Sequence, residues 1–166
     1  VRQGFLEFLD GLRPNGSIVL CADDPGAASL AAHSGASVST YGLNAGSQLR
    51  AESVRVEPGR TVCTVVEEGR VLGDLSVIVP GLHNLRNALA ATAAARSLGI
   101  GFDAIRSGLG EFPGVSRRFE RLGSVGGVTV IDDYAHHPTE LTATLAGARA
   151  TFPDHRLIAV FQPHLY

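Results

Sequence analysis

The stretch Ser17 to Tyr41, SIVLCADDPGAASLAAHSGASVSTY, constrains the fold more than any other part of the chain. An apolar run to about Ala22 gives way to a turn, then to an alanine-rich segment ending near Gly35. A second apolar run follows from Ser37 to Tyr41. Strand, helix, strand in that order is the rhythm of a parallel sheet. Asp24 before Pro25 suits a helix N-cap followed by a first-turn proline. A short helical run, FLEFLDGL, precedes this unit and is closed by Arg13-Pro14-Asn15-Gly16.

The texture changes from Ala51 to Val79. The runs SVRVE, TVCTVVEE and VLGDLSVIV, broken at Pro58-Gly59 and Glu68-Gly69, read as antiparallel strands. In GLHNLRNALAATAAARSLGIG, Leu85, Leu89, Thr92, Ala95 and Leu98 recur at helical spacing, with Gly99 as the stop. FDAIRSGLGEF is a shorter helix, and Phe112 to Ser116 a linker. Beyond it come a hairpin turning at Gly126-Gly127, a helix with Leu141, Leu145, Ala148 and Phe152 on one face, and the apolar run RLIAVFQ. That last run is expected to be a buried parallel strand. The reading is α/β throughout, in two pieces covering residues 1–115 and 116–166.

Composition narrows the function. Of 166 residues 45% are hydrophobic, enough for a core, and the net charge is −2 with no run of one sign. No basic stripe for nucleic acid and no membrane span or signal pattern appears, so a cytoplasmic protein is expected. Cys21 and Cys63 sit alone in strand-like runs, as small buried hydrophobes do. Methionine is absent, so the chain reads as an internal piece of something longer. Lysine is absent too: all 14 cations are arginine. A phosphate-binding P-loop and a Schiff-base mechanism each need a lysine, so these residues carry neither.

Three polar constellations stand out. His83, Asn84 and Asn87 crowd the first turn of the alanine-rich helix, where His83 and Asn87 share a face. Asparagine, donor and acceptor at once, matches the edge of adenine, but the same residues can simply cap the helix. In Arg117-Arg118-Phe119-Glu120, strand alternation would place Arg118 beside Glu120, either as a surface ion pair or with Arg118 free to bind phosphate. In IDDYAHHPTE, Asp132 and Asp133 fall at the C-terminal end of a strand, where open α/β sheets bind ligands. Asp133 is expected to serve the ligand and Asp132 the turn. Pro138 puts His137 at or near an N-cap. A metal site from Asp132, Asp133, His136 and His137 is the rival reading, ranked lower because adjacent residues seldom aim at one ion. His33 and His155 read as surface residues.

Taken together, GLHNLRNALAA, FPGVSRRFE, VIDDYAHHPTEL and AVFQPHLY resemble, in order and spacing, the Mur ligase family across essentially the whole chain. The resemblance implies the later part of a P-loop-type central ATPase domain at 1–115, then the start of a Rossmann-like C-terminal domain at 116–166. It implies that His83, Asn84 and Asn87 border adenine, that Arg118 approaches the nucleotide and acts in catalysis, and that Asp133 holds the ribose. Tyr134, His136 and His137, with Gln162, Pro163 and His164, would line the amino-acid and muramyl end. The implied reaction is ATP-dependent ligation of L-alanine to UDP-N-acetylmuramate through an acyl phosphate, with Mg²⁺ ligands mainly outside this chain. No metal ligands are assigned here. A peptide-joining murein ligase and a non-catalytic adenine-nucleotide module are the alternatives. The sugar-nucleotide domain, the P-loop and most of the C-terminal domain have no counterpart here, so the chain alone is expected to be inactive.

Overall fold

The computed structural model describes residues 2–33, 35–57 and 59–163, without the side chain of His33. The order is α1 (Arg2–Asp10), β1 (Ser17–Cys21), α2 (Pro25–Ala28), β2 (Ser37–Gly42), β3 (Leu49–Glu57), β4 (Arg60–Glu67), β5 (Arg70–Val77), α3 (Leu82–Ser97), α4 (Phe102–Glu111), β6 (Glu120–Val125), β7 (Val128–Asp132) and α5 (Pro138–Thr151).

The parallel and antiparallel strands form one mixed sheet in the order β1-β2-β3-β4-β5. β1 and β2 run parallel, with Ser17 opposite Ser37 and Cys21 opposite Tyr41. The change of sense is bridged by a parallel contact of two residue pairs, Tyr41 with Leu49 and Gly42 with Arg50. β3, β4 and β5 then meander antiparallel. The β4–β5 turn is Glu68-Gly69, both at positive φ, as a two-residue hairpin turn requires.

Side-chain alternation places helices on both faces of β1. Ile18 and Leu20 pack with Leu30 against Leu6, Leu9 and Leu12 from α1 and its C-terminal turn. The other face carries the main core, where Leu85, Leu89 and Ala93 of α3 and Phe102 of α4 meet Val65, Leu75 and Val77. Leu75, Leu85 and Leu89 are fully buried, each contributing about 1.5–3 kcal/mol. α3 ends as its glycine foretells. Gly99 is at φ +80, its amide donates to the Arg96 carbonyl and the Ile100 amide to that of Ala95.

Several expectations are corrected. The helix after Pro25 is a single turn, followed by a 3₁₀ turn at Ala31–His33 rather than continuing to Gly35. Asp24 does cap it, accepting the Ala27 amide at 2.7 Å. RLIAVFQ forms no strand, and Ile158 and Val160 are exposed. A buried parallel strand needs paired neighbours, and β6 and β7 pair only with each other. For the same reason Leu145 on the apolar face of α5 stays open. Arg117, Arg118 and Phe119 are not strand: Arg117 and Phe119 have φ of +60 and +53, and β6 begins only at Glu120.

Candidate functional site

A cleft of about 560 Å³ opens where the first turns of α3 face the linker after α4, Arg118 just before β6, Asp133 just after β7 and the first turns of α5. Its polar lining includes His83, Asn84, Asn87, Arg118 and Asp133, five residues from three separate constellations in the sequence. Its apolar wall includes Val77, Val79, Leu109, Phe112 and Val115. An apolar slot with a few convergent polar groups is what a small-molecule site requires.

α3 brings its three residues without using them as caps. The N-cap is Gly81 at φ +103, with no side-chain cap. Instead Asn87 Nδ2 donates to Asn84 Oδ1 at 3.5 Å, and Asn84 Nδ2 to the Pro80 carbonyl at 2.7 Å. His83 folds back over Gly81, where a Cβ would stand 2.7 Å from its ring. Burial lowers the pKa of His83; Asp133 opposes that shift, while Arg118 and Arg86 add to it. Charges from both pieces of the chain therefore act on one imidazole.

Asp133 is held at both oxygens. Oδ2 accepts the Phe119 amide at 2.9 Å and Oδ1 the Ala135 amide at 2.7 Å. This carboxylate shapes the turn, a task expected of Asp132, whose ion pair is with Arg117 at 3.6 Å. Each Asp133 oxygen keeps further acceptor capacity toward the cleft. Arg118 pairs with Glu140 at 3.7 Å rather than with Glu120, which accepts the Arg117 amide at 2.7 Å. The positive φ of Arg117 and Phe119 breaks the alternation that would have set Arg118 beside Glu120.

Tyr134, His136 and His137 do not line this cleft. The Arg117 guanidinium lies 4.6 Å from the centre of the Tyr134 ring, which meets His136 edge-on at 5.3 Å. His137 is the N-cap of α5, its Nδ1 accepting the Thr139 amide at 3.3 Å. Glu140 answers by accepting the amides of His136 and His137, each at 3.2 Å, and these bonds lower its carboxyl pKa. Gln162 and Pro163 are exposed and outside regular structure, and His164 lies outside the described residues. Thr139 and Glu140 also line the cleft, unforeseen in the sequence. The signal for Glu140 was present, since an acid three residues after an N-cap closes a capping box.

Among the described residues no three His, Cys, Asp or Glu side chains gather as metal ligands, which leaves the four-residue metal reading without geometry. Cys21 and Cys63 are free thiols, and burial pushes Cys63 up to about 11. Among the described residues no helix is long and apolar enough to cross a membrane.

A cleft shared by the end of a mixed-sheet unit and the start of a second α/β unit defines a class. The family model for the Mur ligase middle domain matches residues 1–95, and that for the Mur ligase glutamate ligase domain matches residues 117–164. The chain belongs to the Mur ligase family. It is 47% identical over its whole length to the UDP-N-acetylmuramate–L-alanine ligase of Salinibacter ruber, of which it covers 35%. It is also 47% identical to that of Burkholderia vietnamiensis, of which it covers 37%. Among solved structures, UDP-N-acetylmuramate-alanine ligase from Thermotoga maritima superposes on 98% of this chain and 36% of its own length, with a TM-score of 0.81 and 29% identity. A murein peptide ligase from Psychrobacter arcticus matches with a TM-score of 0.65 and 26% identity, over 99% of this chain and 36% of that one. The chain thus spans about a third of the length of these relatives.

Proposed function

We propose that this chain is the nucleotide-facing part of a ligase that joins L-alanine to UDP-N-acetylmuramate at the expense of ATP, in cytoplasmic peptidoglycan precursor synthesis. The observation that carries this reading is the cleft itself, which gathers His83, Asn84 and Asn87 with Arg118 and Asp133. The identity to alanine ligases along the whole chain supports alanine over a peptide as the joined group. Residues 1–115 and 116–166 are the two domain pieces, with the linker between α4 and β6 as their junction.

Each residue then has a task. The Asn84 and Asn87 amides and His83 meet the adenine edge, and the apolar wall takes its faces. Asp133, already oriented by two amides, accepts from ribose hydroxyls. Arg118 exchanges its long contact with Glu140 for a phosphate oxygen, where its planar fork binds two oxygens at once. Developing charge on a transferring phosphoryl group is stabilised by such groups, and here Arg118 is the catalytic residue of the chain. Tyr134, His136, His137 and His164 are assigned to the amino-acid and muramyl end. Mg²⁺, which would offset phosphate charge, is assigned to ligands mainly outside this chain.

ADP titrated into the ¹⁵N-labelled chain tests the reading. The side-chain amide signals of Asn84 and Asn87 and the backbone amides of Arg118 and Ala135 are expected to move together and saturate. Shifts confined to one side of the cleft would reject it.

A further inference from the structure

A second polar cluster lies beside the cleft without lining it. Asp23 follows β1, and its side chain is only 8% exposed. Its Oδ1 accepts the Leu43 and Asn44 amides, both at 3.1 Å. Its Oδ2 accepts the Leu43 amide and Arg86 Nε, both at 2.9 Å. Gly42 permits this approach: a Cβ there would stand 2.5 Å from Asp23 Oδ1 and 2.7 Å from Ser47 Oγ. Burial pushes the Asp23 carboxyl up, but Arg86 and the two amides outweigh it, and the group sits below its ordinary range. Buried carboxylates persist only when satisfied in this way.

Arg86 stands on α3 between Asn84 and Asn87, three residues after His83 and so on an adjoining face. Neither Arg86 nor Asp23 borders the cleft. The start of α3 has no side-chain cap and leaves a glycine at positive φ. Core packing through Leu85 and Leu89 fixes the depth of the helix. The tie from Arg86 to the β1 and β2 ends fixes its rotation and tilt. Hydrogen bonds weaken steeply away from their best geometry, so a small rotation of this turn would misplace all three cleft residues together.

We propose that Asp23 and Arg86 form a positioning pair that sets the adenine-nucleotide affinity of His83, Asn84 and Asn87 without touching the nucleotide. This rests on the nucleotide reading above. The test is a double-mutant cycle on the 166-residue chain with Arg86→Gln, Asp23→Asn and both together. Each is followed by ADP titration in the ¹⁵N spectrum and by thermal unfolding. Arg86→Gln is expected to weaken ADP about tenfold at a temperature where it is folded, with the Asn84 and Asn87 side-chain signals displaced even before ADP is added. The double variant is expected to bind no more weakly than the weaker single one. A folded Arg86→Gln chain of lowered melting temperature but unchanged ADP affinity would overturn the proposal and leave the pair a purely structural one. Additive losses in the double variant would overturn the pairing. Asp23→Asn disturbs a buried carboxylate and can unfold the chain, in which case Arg86→Gln alone decides. An unsubstituted chain silent to ADP up to about 10 mM would instead overturn the nucleotide reading on which the pair depends.

Discussion

Two ionisable side chains in the cleft have consequences that can be measured one residue at a time. Asp133 holds two backbone amides from opposite sides of a turn, and removing an ionised acceptor from such bonds costs on the order of 1.5–3 kcal/mol. Asp133→Ala is therefore expected to lower the unfolding free energy by about that amount in urea titrations. Asp132→Ala loses only a long, half-exposed ion pair and should cost under about 1 kcal/mol. Equal losses would show that the turn does not depend on Asp133. The nucleotide role proposed for Asp133 must then be read from ADP affinity in Asp133→Asn, which keeps an acceptor for the turn. His83 has the opposite charge logic. Its folded pKa lies below 6.5, mainly through burial, so the unfolded chain takes up the proton first as pH falls. The stability tied to its neutral form is complete above the unfolded value near 6.5 and is lost as pH drops from there through the lowered folded pKa. Urea midpoints measured from pH 8 to 5 should fall over that window, and His83→Gln should flatten the fall. An unchanged slope in the variant would remove His83 as its source.

At the level of elements, what the sequence reveals and what it hides divide by the range of the forces involved. The β4–β5 turn at Glu68-Gly69, the Gly126-Gly127 turn, the Asp24 and His137 caps and the Gly99 stop are local devices, and each is where the pattern puts it. The faces of α3 were legible except at its end: Leu85, Leu89 and Thr92 are buried and His83, Asn84 and Asn87 reach the cleft, but Leu98, expected on the same stripe, is the C-cap and exposed. The joining of parallel and antiparallel strands hangs on two residue pairs between β2 and β3, which no local periodicity announces. The left-handed Arg117 and Phe119 are likewise held by bonds from afar. The Tyr134 amide donates to the Arg117 carbonyl and Asp133 takes the Phe119 amide, so the pairing of Arg118 with Glu140 could not be read from strand alternation. RLIAVFQ shows the limit of composition, because an apolar run asks for burial but cannot supply the neighbouring strands. The two glycines that flank α3 separate backbone strain from packing. Gly99→Ala meets nothing within 4 Å and is expected to cost only the left-handed penalty, about 1–2 kcal/mol. Gly81→Ala adds a collision with the His83 ring and should cost more while shifting the ADP response of Asn84. Melting temperatures of the two variants, with ADP titration of each, check this. The idea fails if Gly81→Ala is the milder change.

Across the whole molecule, the cleft belongs to neither piece of the chain alone. α3 offers His83, Asn84 and Asn87, the segments just before β6 and just after β7 offer Arg118 and Asp133, and the linker from Phe112 to Val115 joins the two pieces. Gly114 stands in it at φ +101, where a Cβ would come within 3.2 Å of Val79, so the linker passes close against the sheet unit. Binding and turnover should therefore separate in this chain. On the proposed reading, binding draws on the apolar wall and the five polar side chains that line the cleft. Turnover needs strong positive charge on the phosphates, and the chain has no lysine and no glycine-rich phosphate loop, leaving Arg118 as the cleft's own arginine. One arginine fork cannot neutralise a transferring phosphoryl group by itself, since catalysis of this kind is shared among several positioned charges. The purified 166-residue chain is thus expected to respond to ADP yet to release no phosphate from ATP when L-alanine and UDP-N-acetylmuramate are supplied with Mg²⁺. A coupled phosphate assay against a buffer control measures this. Alanine-dependent release that is abolished by Arg118→Lys would prove that the chain carries its own catalytic charge, and would refute the assignment of phosphate chemistry to residues beyond it.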